Sequence, residues 1–223
     1  MIKLEKIDEP EVLRTHAADW TKTLEDRIAA GETPTEAEKG RYRHPRIKER
    51  LLQETNKKCA YCESYLVHIS YGDVEHIHPK SDDPMLTFSW NNLTLACDVC
   101  NTNKGSYMGV IDPYIRDPAQ DFWFLGAMVL PKAGDIEASI SERRLRLNRL
   151  ELVERRAERI RFINEQILLM EQVADLDHKR AIRDDVIRQI ESREEYSAYV
   201  RAFAEFCLSE EAVLDGDEVG RPE

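Results

Sequence analysis

Two Cys-x-x-Cys pairs constrain this chain more than any other feature of its sequence. Cys59 and Cys62 lie in CAYC, Cys97 and Cys100 lie in CDVC, and 34 residues separate the two pairs. Each pair offers two thiolates from one tight turn, and four thiolates at about 2.3 Å complete a tetrahedral zinc site with no open position for water. The sequence therefore predicts a structural Zn²⁺ site. The alternative, a redox dithiol, requires one such pair in a βαβ pattern, and this sequence has no such pattern.

The remaining cysteine and the N-terminal sequence indicate the compartment. Cys207 stands alone in a helical pattern, and an odd number of cysteines argues against a disulfide framework. No run of about 18 apolar residues is present, and MIKLEKIDEPEVLR has charges in place of the apolar centre of a secretory signal. We therefore expect no membrane association and a cytoplasmic location, where thiols stay reduced.

Hydrophobic periodicity predicts an α+β fold that is mainly helical. Apolar residues at helical spacing predict a first helix that opens at Pro10 and runs past Leu24. Pro45 is well placed at the first turn of a second helix, since its missing N–H costs nothing there, and this helix buries Ile47 and Leu51.

Short strands are predicted around the cysteine pairs. Residues 65–70 are rich in β-branched and aromatic residues, residues 71–73 supply a turn, and residues 74–78 return as a second short strand. With a short helix that starts at Asn101, these strands make a ββα unit. A second hairpin is predicted over residues 121–131.

The C-terminal half is predicted to be helical. Apolar residues from Val153 to Ala174 recur at steps of three and four, which predicts one helix of about 30 residues. A last helix carries Tyr199 and Phe203 on one face. Both stripes are expected to be core, and the wide stripe of the long helix is also a candidate partner surface. The predicted division is an N-terminal arm and helix at 1–40, a ββα module at 41–116, and a short hairpin with a helical region and acidic tail at 117–223.

Charge is distributed unevenly along the chain. The formal net charge is −11, but residues 41–58 carry seven basic against two acidic side chains, whereas residues 191–223 carry three basic against ten acidic ones. A phosphate backbone would meet the basic run, and the acidic run is expected to be a solvated surface. The candidate phosphate contacts of the basic run are Arg41, Arg43, Arg46, Lys48 and Arg50.

Four polar residues between and beside the cysteine pairs suit phosphodiester hydrolysis. His76 is a candidate general base, since a neutral imidazole near pH 7 has an unperturbed pKa close to the working pH. Glu75 and Asn101 offer hard oxygen ligands for a divalent metal. Asn92 is predicted to form the hydrogen bond that fixes the imidazole tautomer.

Three further side chains lie close to this set in the sequence. His78 is two residues after His76, so it shares the strand face and is a candidate phosphate contact or auxiliary base. Lys80 and Lys104 are candidate phosphate contacts as point charges. The alternative for His78 is an ordinary half-exposed strand residue, and the alternative for the two lysines is an ordinary solvated side chain.

The order Cys-x-x-Cys, E-H-I-x-P-K, N-L-x-x-x-C-x-x-C-N-x-x-K-G resembles the HNH endonuclease motif. The resemblance implies a ββα-metal fold in which His76 is the general base and Asn92 orients it. It also implies that Glu75 and Asn101 bind the catalytic metal. Glu75 replaces the commoner Asp and Asn101 replaces the commoner His. Both are oxygen ligands, which favours Mg²⁺ or Mn²⁺ over softer metals.

The resemblance extends beyond the motif, over roughly residues 1–160. The segments MIKL, KKCAYCESY, DPYIRDP and RLRLNRLELVERR are similar to the HNH subunit of Septu and retron-associated anti-phage defence systems. This implies a nuclease that acts on DNA or RNA and is regulated by an ABC/SMC-type ATPase. Two other classes stay open: a non-catalytic zinc-ribbon module that binds nucleic acid, and a structural adaptor whose helical end serves the ATPase.

Overall fold

The structure, a computed structural model, describes residues 1–66 and 72–216, with side chains through residue 208. Helices and two antiparallel strand pairs follow one another along the chain. The helices are α1 (Glu11–Ala29), α2 (Glu36–Lys39), α3 (Pro45–Glu54), α4 (Asp98–Lys104), α5 (Pro118–Asp121), α6 (Ile136–Leu145), α7 (Leu150–Gln172), α8 (Leu176–Gln189) and α9 (Ser197–Gly216). The strands are β1 (Asp73–His76), β2 (Leu93–Ala96), β3 (Phe122–Leu125) and β4 (Met128–Pro131), and short 3₁₀ turns span Gly40–Arg43, Pro84–Phe88 and Trp90–Asn92.

A proline marks the start of α1 and of α3, as the sequence predicts. Pro10 is the residue before α1, and Pro45 is the first residue of α3, where His44 accepts a hydrogen bond from the Arg46 N–H. Ile47 and Leu51 of α3 are fully buried. The apolar stripe of α3 therefore faces the core, whereas Arg46 is exposed and Lys48 and Arg50 are half-buried.

The strand pair near the cysteines differs from the predicted one. β1 pairs antiparallel with β2, with Glu75 opposite Thr94 and His76 opposite Leu93. The sequence instead predicts residues 65–70 as the partner, and residues 67–71 lie outside the described part of the chain. The observed register has no bulge, so Glu75 and His76 point to opposite faces of β1. α4 follows β2 directly.

The predicted hairpin over 121–131 is present as β3 and β4. Gly126, with φ of +58°, supplies the left-handed conformation that a tight two-residue turn requires. Phe122 and Val129 face the core, whereas Trp123 and Leu125 are each 57% exposed. The hairpin therefore has one buried face and one apolar exposed face.

The apolar stripe that predicts one helix of about 30 residues lies on α7 from Val153 to Met170, and this helix is shorter than predicted, at 23 residues. α7 ends at Gln172, and Val173 has an extended backbone. Asp175 then accepts hydrogen bonds from the N–H groups of Asp177 and His178 and caps α8. The extended backbone at Val173 ends α7, and the Asp175 cap stabilises the start of α8 at Leu176.

One hydrophobic cluster joins the three predicted segments. It includes Leu13 of α1, Leu95 of β2 and Tyr199 of α9, and a smaller cluster links α7, α8 and α9 through Ile163 and Val200. The three-part division stays a prediction, but its parts share a core. Within residues 1–66 and 72–216, no helix combines the length and apolar character needed to cross a bilayer.

Candidate active site

The four paired cysteines form one buried cluster. Their Sγ atoms all lie within 4.8 Å of one another, and those of Cys62 and Cys97 are 3.9 Å apart. A tetrahedral zinc with Zn–S bonds of about 2.3 Å requires S–S separations of about 3.8 Å, so the cluster fits this ion. Cys97 also caps α4, since its Sγ accepts the Cys100 N–H at 3.3 Å.

An arginine that sequence reasoning missed lies against the cluster. Arg149 precedes α7, and its guanidinium nitrogens are 3.8 Å from Cys100 Sγ and 4.0 Å from Cys97 Sγ. Four thiolates around Zn²⁺ carry two net negative charges, which a neighbouring cation stabilises in a buried site. Arg149 lies in the RLRLNRL segment, but the spacing of that segment gives no signal for this contact.

Glu75 is paired with Lys104 of α4. The Lys104 ammonium donates to Glu75 Oε1 and to the His76 carbonyl oxygen, each at 2.7 Å, and it is buried. Burial raises the pKa of Glu75, and the Lys104 charge lowers it. This placement favours an internal role for Lys104 over the predicted phosphate contact.

Asn101 lies one helical turn from Lys104 on α4 and meets the same strand. Its Nδ2 donates to Asp73 Oδ2 at 2.9 Å, so its carbonyl oxygen is directed away from Asp73. Asp73 and Glu75 share one face of β1 because they are two residues apart. Asp73 is thus a site residue that strand alternation in DVEH could have indicated.

His76 is held from two sides. Its Nε2 donates to the Thr87 carbonyl at 3.0 Å, and the Tyr42 ring lies edge-to-face against it with centroids 4.5 Å apart. Burial lowers the pKa of His76 to about 4, and the charges of Lys80 and Lys104 add to this effect against the opposing Thr87 hydrogen bond. The imidazole is therefore neutral at pH 7, but its pKa lies below the near-neutral value on which the predicted base role rests, so the ring is a weaker base than a free imidazole.

Asn92 fixes the backbone after His76. Its Oδ1 accepts the His78 N–H at 2.7 Å, and its Nδ2 donates to the carbonyls of His78 at 3.0 Å and Leu86 at 3.2 Å. The sequence predicts a direct bond from Asn92 to the imidazole, whereas the imidazole partner seen here is Thr87. Asn92 thus contacts the loop that carries His78 and not the imidazole itself.

The remaining candidate phosphate contacts differ in their environment. Lys80 donates to the Tyr42 hydroxyl at 2.7 Å, and His78 Nε2 is 2.8 Å from Asp82 Oδ2. Arg43 and Arg46 are exposed, whereas Arg41, Lys48 and Arg50 are half-buried. Their phosphate contacts stay predictions.

Similarity to known proteins agrees with this site. Residues 59–107 match the family model described as HNH endonuclease, a segment that holds the four cysteines, Glu75, His76, Asn92 and Asn101. The chain is 34% identical over 112 residues to Septu protein PtuB of Bacillus thuringiensis, covering 48% of this chain and 43% of that protein. It is 28% identical over 195 residues to Septu protein PtuB of Bacillus mycoides, covering 70% of this chain and 66% of that protein.

Each match spans less than two thirds of the relative's own length. The resemblance stated from the sequence is nevertheless confirmed: the chain is similar to HNH nucleases of the Septu type. The relatives are similar to the chain well beyond the family segment, since the longer match covers 70% of it.

Proposed function

We propose, from this similarity to HNH nucleases of the Septu type, that the chain is a divalent-metal-dependent endonuclease that hydrolyses phosphodiester bonds in DNA or RNA. The observation that carries the proposal is the buried, neutral His76 imidazole at the end of β1, next to Glu75 and inside the segment that matches HNH endonucleases.

His76 is proposed as the general base. The Thr87 carbonyl accepts the Nε2 proton, so Nδ1 is the nitrogen left to take a proton from the attacking water. Because the imidazole is neutral at pH 7, this nitrogen is unprotonated when the substrate arrives. Asn92 and Tyr42 keep the ring and the following loop in place.

Glu75 and Asn101 are proposed to hold the catalytic Mg²⁺ or Mn²⁺. Glu75 accepts from Lys104 through Oε1, and Asn101 donates to Asp73 through Nδ2. These two contacts therefore do not use Glu75 Oε2 or Asn101 Oδ1. Carboxylate and amide oxygens are the ligands that these hard ions prefer, so the donor set fits. The ion would supply positive charge where the phosphate and the leaving oxygen develop negative charge.

The end of β1 is the proposed position of the scissile phosphate. Glu75 and His76 point to opposite faces, so one phosphate can approach both only where the strand ends. Lys80 and Arg43 lie near His76 and would contribute attraction for the phosphate backbone. The four cysteines are proposed to bind structural Zn²⁺ that holds α4, and therefore Asn101, against β1.

We also propose that the chain is the nuclease subunit of an anti-phage defence complex with an ABC/SMC-type ATPase. Support comes from the relatives named as Septu proteins. Residues 117–223 are the proposed partner-binding part, because exposed apolar side chains such as Trp123, Leu125 and Leu168 lie there.

A cleavage assay with His76→Ala tests the proposed reaction. Loss of the base should lower the Mg²⁺-dependent cleavage rate by about 10²–10⁴-fold while zinc content is retained. The assay uses the chain alone and with the ATPase, on DNA and RNA. His16→Ala, which removes an exposed imidazole on α1 outside the proposed partner-binding part, is the matched control and should cleave like the wild type.

Cleavage by His76→Ala at the wild-type rate would contradict the proposed base. A non-catalytic zinc adaptor is the second candidate, and the Lys104–Glu75 ion pair favours it because Lys104 already neutralises the proposed metal ligand. That candidate predicts no cleavage by the wild-type complex, together with zinc-dependent binding of the partner.

A further inference from the structure

Tyr42 stands between the proposed base and the proposed phosphate-binding side chains, although it lies more than 30 residues earlier in the chain. It belongs to the 3₁₀ turn Gly40–Arg43 and is 4% exposed. Sequence reasoning treated the residues around it only as a basic run. The fold places this tyrosine at the centre of the site.

The aromatic ring of Tyr42 limits the position of the imidazole. The Tyr42 and His76 centroids are 4.5 Å apart with an interplanar angle of 77°, an edge-to-face arrangement. The Thr87 carbonyl holds Nε2 at 3.0 Å. With the ring packed against Tyr42 and one nitrogen bonded to Thr87, rotation of the imidazole is restricted and the direction of Nδ1 is defined.

The hydroxyl of Tyr42 positions a cation. The Lys80 ammonium donates to it at 2.7 Å and lies 4.3 Å from the ring centroid. The Arg43 guanidinium carbon lies 5.1 Å from the same centroid. An ammonium has three donors, so Lys80 keeps donors for a phosphate oxygen after it binds Tyr42. Attraction to the ring face also keeps both cations near His76.

We propose that Tyr42 is a positioning residue that couples the His76 imidazole to the phosphate-contacting ammonium of Lys80. The inference rests on the proposed nuclease function and deepens it, because it names the side chain that sets the distance between base and phosphate. The ring acts on His76, and the hydroxyl acts on Lys80. The two parts can be removed separately.

Tyr42→Phe removes the hydroxyl and keeps the ring. Without this hydrogen bond the Lys80 ammonium is less well placed for the phosphate, so the affinity for nucleic acid should fall about 3- to 10-fold, which is less than the full effect of a hydrogen bond to a charged group. The probes are a labelled DNA duplex and an RNA of the same sequence, measured by fluorescence anisotropy without added Mg²⁺. In a double-mutant cycle, Tyr42→Phe combined with Lys80→Met should bind no more weakly than Lys80→Met alone, because both changes break the same contact.

Tyr42→Leu removes the ring as well. Its expected signature is a change in the imidazole nitrogen resonances of His76 in NMR spectra, which Tyr42→Phe should leave close to those of the wild type. The rate of cleavage at saturating substrate should fall about 100-fold in Tyr42→Leu, because a misplaced catalytic group loses about this much.

Tyr199→Phe is the matched control. Tyr199 is also buried, and within the described residues its hydroxyl has no hydrogen-bond partner. The control should change neither the affinity nor the His76 resonances. If Tyr42→Leu does not fold, the cycle on Tyr42→Phe and Lys80→Met still decides the proposal.

The inference would be overturned if the double variant lost affinity by the product of the losses measured for Tyr42→Phe and Lys80→Met alone. Wild-type His76 resonances in a folded Tyr42→Leu protein would overturn it too. A wild-type complex that neither binds nor cleaves either probe would instead contradict the proposed function, and the role of Lys80 would fall with it.

Discussion

At the scale of single residues, Lys104 shows why position beside a motif does not define a role. The side chain is three residues after Asn101, so both share one face of α4 and meet β1. Lys104 is buried against Glu75 and the His76 carbonyl. A buried ammonium with these partners stabilises the end of β1. Side chains such as Arg43, and not Lys104, form the exposed surface of the candidate site.

Replacing Lys104 should destabilise the fold strongly. Lys104→Met leaves the Glu75 carboxylate buried without its partner, which costs about 3–5 kcal/mol. The free energy of unfolding of the zinc-loaded protein in urea measures this. Lys22→Met is the control, since the Lys22 side chain is 72% exposed and pairs loosely with Asp26; it should cost less than about 1 kcal/mol. Equal costs for the two variants would argue against the buried pair.

At the scale of elements, the cysteine pairs join four segments into one unit. The Ala60 N–H donates to the Leu95 carbonyl at 2.9 Å, so the first pair is attached to β2. Cys97 and Cys100 begin α4, and Arg149 brings the start of α7 to the same thiolates. These elements are short, and β1 and β2 have four residues each. Pairs of this length need additional support to be stable.

Loss of one thiolate should therefore unfold the protein. Structural zinc contributes about 10–16 kcal/mol in apparent binding free energy, which matches or exceeds the stability of a typical domain. Cys97→Ala is expected to lose zinc and to be unfolded or aggregated, as zinc analysis and thermal unfolding would show. Cys207→Ala is the matched control and should retain zinc. A soluble Cys97→Ala protein of unchanged stability would contradict a structural metal.

At the scale of the whole molecule, Glu63 connects the N-terminal residue, the first cysteine pair and α9. The Glu63 carboxylate is buried and accepts from the Met1 amino group at 2.5 Å and from Ser197 Oγ at 3.0 Å. Its neighbour Lys58 donates to the carbonyls of Ser192 and Glu194. The helical C-terminal region is thus attached directly to the segment that carries the first cysteine pair, which gives the proposed partner-binding helices a direct contact with the candidate site.

Neutralising Glu63 should loosen this attachment. Glu63→Gln leaves the buried positive charges without their counter-ion, with an expected loss of about 3–5 kcal/mol in the free energy of unfolding. Hydrogen exchange should then increase in α9 as well as near residues 59–66. The exposed pair of Glu158 and Arg155 gives the control Glu158→Gln, which should change stability by less than about 1 kcal/mol. If hydrogen exchange increased only in α9 or only near residues 59–66, the proposed connection through Glu63 would be contradicted.

Local sequence determined the parts of this protein whose chemistry lies within a few residues. The spacing of the two Cys-x-x-Cys pairs by itself indicates a metal or redox role. Pro45 marks the start of α3, and Ile47 with Leu51 identifies its buried face. The Glu75–His76 pair was recognisable because it lies between the cysteine pairs. The hairpin of β3 and β4 followed from its apolar run and its turn.

Only the tertiary structure decided which distant groups meet. The partner of β1 is β2, the imidazole partner is Thr87, and Asn92 binds the backbone near His78. Tyr42 and Arg149 reach the site from segments that are distant in the sequence. The spacing of apolar residues in those segments indicates which positions are buried, but not which side chains they contact. The physical reason is that a helix or strand pattern specifies which face is apolar, whereas contacts between faces depend on how all elements pack in one core.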